Sequence, residues 1–221
     1  MNHHLVIFAG GLGSRLRNTE NLPKPLVNIN GKSFLGRIII SFQETGIFNH
    51  FHLLTCLNGD LFQEKLSTEI LENKFTIYEE LSRTGRVGAL RNFLNKQSIV
   101  DDFFVCNGDT YFLDLKKSEL LDPLNSYKFK PIIYLASKDE TRNDYKSIKL
   151  NINNIEKEFQ NSGLFYLSRS SFESFVSNDK FKDIDDYLFL TKNSAEYALL
   201  SSQILDGGTP ERLSYIRGIL R

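Results

Sequence analysis

The chain has 221 residues, 41% of them hydrophobic, enough for one substantial core and an expected single domain over residues 1–221. Its 27 basic and 27 acidic side chains cancel, which argues against the polycationic surface that binding a long nucleic acid requires. Any anion it binds is expected to be small and held locally.

No stretch approaches the roughly 18–20 apolar residues of a membrane span, and the apolar run Val6 to Ala9 is far shorter than a signal-peptide core. The expectation is a cytoplasmic protein with neither a membrane nor a nucleic-acid partner. Cys56 and Cys106 each end an apolar run, where small reduced core thiols fit.

The first element is the apolar run His4 to Ala9, which stops at glycines and reads as a buried parallel strand entering a tight turn. After Gly31, Phe34, Leu35, Ile38, Ile39 and Phe42 recur at spacings of three and four, predicting a helix that ends near Gly46. Strands are predicted at His50 to Leu57, Phe75 to Glu79 and Asp102 to Cys106, with a helix over Val87 to Leu94 between the last two. Further strands are expected at Pro131 to Ala136, Tyr145 to Leu150, Ser162 to Leu167 and Tyr197 to Leu200, and a helix from Ser170-Ser171 through Val176. Thr209-Pro-Glu supplies an N-cap, a first-turn proline and a first-turn acid, predicting a C-terminal helix. Alternating strands and helices point to an α/β sheet whose ligands lie outside the carboxyl ends of the strands.

Those ends carry the chemistry. Gly10, Gly11 and Gly13 follow the first strand, and glycine amides can approach a phosphate without a Cβ in the way. Arg15 adds a forked donor, and Lys24 a compact charge stiffened by Pro23 and Pro25. A P-loop would need Gly-Lys-Ser/Thr directly after its glycines, and a dinucleotide fingerprint would open a helix at once. Leu16 to Asn30 is instead polar and broken by proline.

Gly-Gly-Leu-Gly-Ser-Arg-Leu16 followed by Pro-Lys-Pro-Leu-Val-x-Ile-x-Gly-Lys-Ser-Phe-Leu35 resembles the signature of the sugar-1-phosphate nucleotidyltransferases. Thr84 to Leu90 resembles the family's glycine-rich segment beside base and ribose, and Cys106 to Tyr111 its Asn-Gly-Asp metal motif. Ile155-Glu-Lys157, Asn161 to Tyr166 and Leu205 to Pro210 resemble its sugar-phosphate lysine, its sugar-contacting Asn-x-Gly turn and its terminal Asp-x-Gly-Thr. The motifs keep the family order over residues 5–217.

The resemblance implies a Rossmann-like three-layer α/β sandwich with a mixed, mostly parallel central sheet. It also implies a reaction between a nucleoside triphosphate and a sugar 1-phosphate that releases pyrophosphate. In that reading Arg15 and Lys24 are catalytic; Ala9, Gly10, Gly11, Gly13, Gly85, Gly88 and Asn107 line the nucleotide; Lys157, Asn161 and Gly163 hold the sugar phosphate; Asp109 and Asp206 ligate Mg²⁺. Among small members of the family, the heptose-1-phosphate guanylyltransferase group is the most similar, which implies GTP and a D-manno-configured heptose 1-phosphate. The alternative is CTP, UTP or dTTP with a hexose 1-phosphate or another small phosphorylated molecule. The oligomeric state is open, with a homodimer one reading.

Taken singly, Asp109, Asp206, Asn161 and Gly163 also fit ordinary turns, and Lys157 a solvated lysine. Independent turns would rarely reproduce five segments in one order. His3 and His4 are adjacent on a strand and point to opposite faces, which excludes a metal pair. His50, His52, Tyr78, Phe104 and Tyr111 read as strand or core residues, and Arg86 is a departure, standing where the family carries a small residue or glutamine.

Overall fold

Leu5, Val6 and Ile7 are fully buried, so the first strand is apolar on both faces, as the middle of a parallel sheet requires. The computed structural model describes residues 3–11, 22–71, 74–97, 102–127, 130–137, 147–169, 172, 183–184 and 195–220. Its strands are β1 (His3–Phe8), β2 (Asn28–Ile29), β3 (Lys32–Ser33), β4 (Phe48–Cys56), β5 (Phe75–Glu80), β6 (Phe103–Asn107), β7 (Thr110–Leu113), β8 (Ile132–Ser137), β9 (Ser147–Ile152), β10 (Ile155–Leu167), β11 (Glu196–Leu200) and β12 (Gln203–Asp206). The helices are α1 (Phe34–Glu44), α2 (Gly59–Ser67), α3 (Gly85–Lys96), α4 (Lys117–Ser126) and α5 (Pro210–Ile219).

The main sheet runs β11-β8-β10-β6-β1-β4-β5, with β9 paired to β10. β1 is parallel to both β4 and β6, β4 is parallel to β5, and β11 to β8. β10 is antiparallel to all three of its neighbours, which makes the sheet mixed. The alternation of the strands divides the core. Leu5, Ile7, Phe104 and Cys106 face α1, α2, α4 and α5, while Val6, Phe103 and Val105 face α3.

The expected elements are present where they are described. Helix α1 buries Phe34, Leu35, Ile38, Ile39 and Phe42, each such side chain contributing about 1.5–3 kcal/mol. Ser33 caps it by accepting from the Gly36 amide at 3.0 Å, and Gly46, at φ +71°, follows its end. Thr209 Oγ1 caps α5 by accepting from the Arg212 amide. The expected helix from Ser170 falls almost wholly outside the described residues.

Three differences matter for the site. β10 is 13 residues long and begins at Ile155, because its polar first half pairs with β9 across a two-residue turn in which Asn153 and Asn154 have φ of 54° and 64°. β7 and β12, which sequence reading did not assign, form a separate antiparallel pair. Helices α2 and α4 were also unassigned.

The histidines meet at the end of the sheet opposite the glycine turn. His4 Nδ1 and His52 Nε2 lie 2.9 Å apart, and the ring of His50 is 4.9 Å from that of His52. One ring must donate and the other accept, so the accepting ring is a neutral imidazole. Burial first, then His50 and His4, lowers His52 from 6.5 to about 3. The folded value lies below the unfolded one, so this stability is intact above about pH 6.5 and is lost as the pH falls toward 3. At pH 5 the loss should be roughly 2 kcal/mol, or about 4–8 °C in Tm for a chain of this size. Comparing melting at pH 7.5 and 5.0 for the wild type and His52→Gln checks this, since the variant should lose most of the acid sensitivity. An unchanged acid slope in the variant would remove His52 as its source.

Candidate active site

β1 ends at Phe8, opposite Asn107 at the end of β6, so the glycine turn and the Asn-Gly-Asp turn leave the sheet side by side. The Ala9 amide donates to Leu54 O at 2.8 Å, and a Cβ on Gly10 would lie 3.1 Å from Cys56 Cβ. Gly10 therefore rests against β4, while nothing comes within 4 Å of the Cβ position of Gly11, which is exposed. Gly13 and Arg15 lie outside the described residues.

Lys24 opens a single 3₁₀ turn, Lys24–Leu26, with Pro23 before it and Pro25 within it. Pro25 and Leu26 are buried, which anchors the turn, and the lysine reaches across to Asp109 with Nζ 2.5 Å from Oδ2. Lys24 is 12% exposed and Asp109 34%. The lysine is thus largely shielded from water and the aspartate about one-third exposed.

The short β7–β12 pair brings in the second carboxylate. Asp206 stands opposite Thr110 in its register, and the Gly207 amide donates to Asp109 O at 3.0 Å. Asp206 is buried; its Oδ1 accepts from the Gly208 amide at 2.7 Å and from Arg212 Nη1 at 3.2 Å. Arg212 was missed by sequence reading, although an arginine in the first turn of a helix that begins four residues after an aspartate is a readable signal. The two carboxylates offer hard oxygens of the kind Mg²⁺ accepts, since that ion takes one or two carboxylates and completes its shell with water and phosphate oxygen. Among the described residues no group of three or more His, Cys, Asp or Glu is arranged to hold a metal. Hard carboxylate oxygens of this kind fit Mg²⁺.

The Cys106 thiol lies directly behind this turn. Burial, and next the charge of Asp109, push its pKa well up, so it stays protonated and is no nucleophile.

On the other side, Gly163 has φ +77° within an irregularity of β10 between Asn161 and Leu164. The Gly163 amide donates to Asn161 Oδ1 at 2.9 Å, and a Cβ at Gly163 would lie 2.5 Å from Asn107 Nδ2. Gly163 thus lets Asn107 lie against the Asn-x-Gly turn. Gly85, at φ +77°, starts α3, and Gly88 packs on Thr84 so closely that a Cβ would approach its Cβ to 2.3 Å. Of the expected site residues, Ala9, Gly10, Lys24, Asn107, Asp109, Gly163 and Asp206 are linked by these contacts, with Gly85 and Asn161 flanking them. Lys157 is separate, exposed in the β9–β10 hairpin opposite Leu150.

A family model for the MobA-like NTP transferase domain matches residues 5–121. The chain belongs to the MobA-like NTP transferase family. This NTP transferase is 27% identical over 217 residues to D-glycero-alpha-D-manno-heptose 1-phosphate guanylyltransferase of Campylobacter jejuni, covering 93% of this chain and 95% of that one. It is 31% identical over 185 residues to the bifunctional protein GlmU of Methanococcus maripaludis, a match covering 76% of this chain and 40% of that protein. Among solved structures, HddC from Yersinia pseudotuberculosis superposes with a TM-score of 0.79 at 25% identity, covering 99% of this chain and 100% of that one. UTP-bound UGPase from Acinetobacter baumannii, 14% identical, shares the fold with a TM-score of 0.79 over 100% of this chain and 93% of that one. The nucleotidyltransferase resemblance and the mixed α/β fold expected from it are both borne out.

No helix among the described residues is long and apolar enough to cross a membrane.

Proposed function

We propose that this NTP transferase joins GTP to D-glycero-alpha-D-manno-heptose 1-phosphate, giving a nucleotide sugar for surface polysaccharide synthesis. The observation that carries the reaction type is the convergence of Lys24, Asp109 and the Asp206 strand beside the glycine turn. An oxygen of the sugar phosphate attacks the α-phosphorus, a new P–O bond forms, and the bond to the bridging oxygen of the leaving pyrophosphate breaks. The barrier falls mainly through positioning and placed charge, so no side-chain nucleophile is needed.

Gly10 and Gly11 offer backbone amides to the triphosphate, and Lys24 is placed to meet charge at the α-phosphate. Arg15 is assigned to the departing pyrophosphate, and Lys157, with Asn161 and Gly163, to the sugar phosphate. Asp109 and Asp206 would hold Mg²⁺, which would supply positive charge against the negative charge of the reacting phosphates. The choice of GTP and heptose rests on the guanylyltransferase relative, matched over 95% of its length. The reaction belongs in the cytoplasm, where nucleoside triphosphates are supplied, and the free thiols of Cys56 and Cys106 suit that compartment. A different NTP with a hexose 1-phosphate is the second reading, since Arg86 at the start of α3 leaves the choice of base open.

Four NTPs tested against heptose, mannose, glucose and glucosamine 1-phosphates, read by pyrophosphate release with and without Mg²⁺, test both readings. GTP with the heptose phosphate should be fastest, and only with metal present. Silence of every pair with metal supplied would overturn the assignment.

A further inference from the structure

Arg86 stands in the first turn of α3, where the helix dipole disfavours a cation, so its position calls for a compensating anion. Asp183 provides it, with Arg86 Nη2 2.5 Å from Asp183 Oδ1. The same guanidinium reaches toward the sheet, with Nη1 3.4 Å from Asn107 Oδ1. Asn107 in turn lies against Gly163, whose added Cβ would come within 2.5 Å of Asn107 Nδ2. Arg86 is therefore one side chain away from the Asn161–Gly163 turn, although its segment belongs to the nucleotide side. Lys157, by contrast, stands four residues before Asn161 on β10, about 13 Å along the strand.

The Arg86 and Asp183 side chains are 27% and 49% exposed, and an ion pair so open to water is weak and readily exchanged. A phosphate monoester offers the fork of a guanidinium a stronger, doubly charged partner than a carboxylate does. We propose that Arg86 binds the phosphate of the incoming sugar 1-phosphate, and that Asp183 is its resting counter-ion, which the phosphate displaces. This inference rests on the sugar-phosphate reading above and adds a second cation to it.

Exchange and simple tethering predict opposite signs for the two partners. If Asp183 competes with the phosphate, Arg86→Ala should raise the KM for D-glycero-alpha-D-manno-heptose 1-phosphate by roughly 10- to 100-fold, with Arg86→Lys in between. Asp183→Asn should lower that KM by about 2- to 5-fold, and the KM for GTP should move less than about 3-fold in all three variants. If the pair only ties two segments together, both truncations weaken sugar-phosphate use alike, and that result overturns the proposal. So does an effect of Arg86→Ala confined to GTP.

Calorimetric titration of the same variants with heptose, mannose and glucose 1-phosphates, with and without a non-hydrolysable GTP analogue, separates this inference from the reaction itself. Opposite shifts in affinity without pyrophosphate release from the wild type would sustain the role of Arg86 and reject the proposed reaction. Turnover with like-signed shifts would do the reverse. A wild type that binds none of the three sugar phosphates in either condition would reject both.

Discussion

Replacing Lys24 by alanine should lower turnover by roughly 100- to 1,000-fold while the fold persists, the range seen when one preorganised charge-stabilising donor is lost. The preorganisation is visible in the chain: two prolines bracket the residue, and the adjoining Pro25 and Leu26 are buried. The loss should fall on kcat more than on the KM for the triphosphate, because the interaction strengthens as charge develops on the departing phosphate. The contact with Asp109 adds a second expectation. Lys24 and the proposed Mg²⁺ claim the same carboxylate, so the variant should need no more Mg²⁺ for its residual half-maximal rate than the wild type. Near-normal turnover, or a sharply raised Mg²⁺ requirement, would contradict these roles.

Gly108→Ala should be comparably severe for a steric reason. An added Cβ would come 2.6 Å from Phe8 O and 3.3 Å from Ile7 Cγ2, and a backbone oxygen cannot rotate aside. That oxygen also accepts from the Gly108 amide at 2.9 Å, so the clash and the bond share one atom. Relief requires the Asn107–Thr110 turn to lift from the end of β1, which moves Asp109 away from the glycine turn and from β12. A displacement near 1 Å at a reacting centre costs on the order of 100-fold in rate. The accompanying overpacking should cost about 1–3 kcal/mol of stability. Gly218→Ala is the matched control, since nothing lies within 4 Å of its Cβ position in α5. It should leave turnover unchanged and stabilise the chain by roughly 0.5–1 kcal/mol, the usual gain from alanine inside a helix. Turnover and urea midpoints for the two variants check both expectations.

Elements written in local signals were legible. The apolar run of β1, the three-and-four spacing of α1 and the Thr-Pro-Glu start of α5 each carry their own instruction. The elements that escaped lack one. β7 and β12 are four residues each and pair across some ninety positions, so nothing in either segment announces the other. Helix α2 buries only Gly59, Phe62 and Leu66, and α4 only Leu120 while carrying Pro123, too little for a visible stripe. The first half of β10 reads as polar because that half lies in an exposed hairpin.

The candidate site shows the same division. Its residue types were legible, glycines for close approach and carboxylates at strand ends, and the resemblance supplied their roles. Their meeting was expected only through the resemblance and has no local signal, because the contact of Lys24 with Asp109 spans 85 positions and depends on how the sheet assembles. Asp183 was missed for that reason, since it acquires meaning only through Arg86, which it touches across the fold, whereas Arg212 lies six residues from Asp206 and was within reach of a local reading.

The most direct test is a crystal structure with a non-hydrolysable GTP analogue and Mn²⁺, whose anomalous signal marks the metal. One peak bound by carboxylate oxygens of Asp109 and Asp206, with the triphosphate over Gly10 and Gly11 and the Lys24 ammonium at its α-phosphate, is the predicted result. A triphosphate seated elsewhere, or a metal that ignores both aspartates, would contradict it.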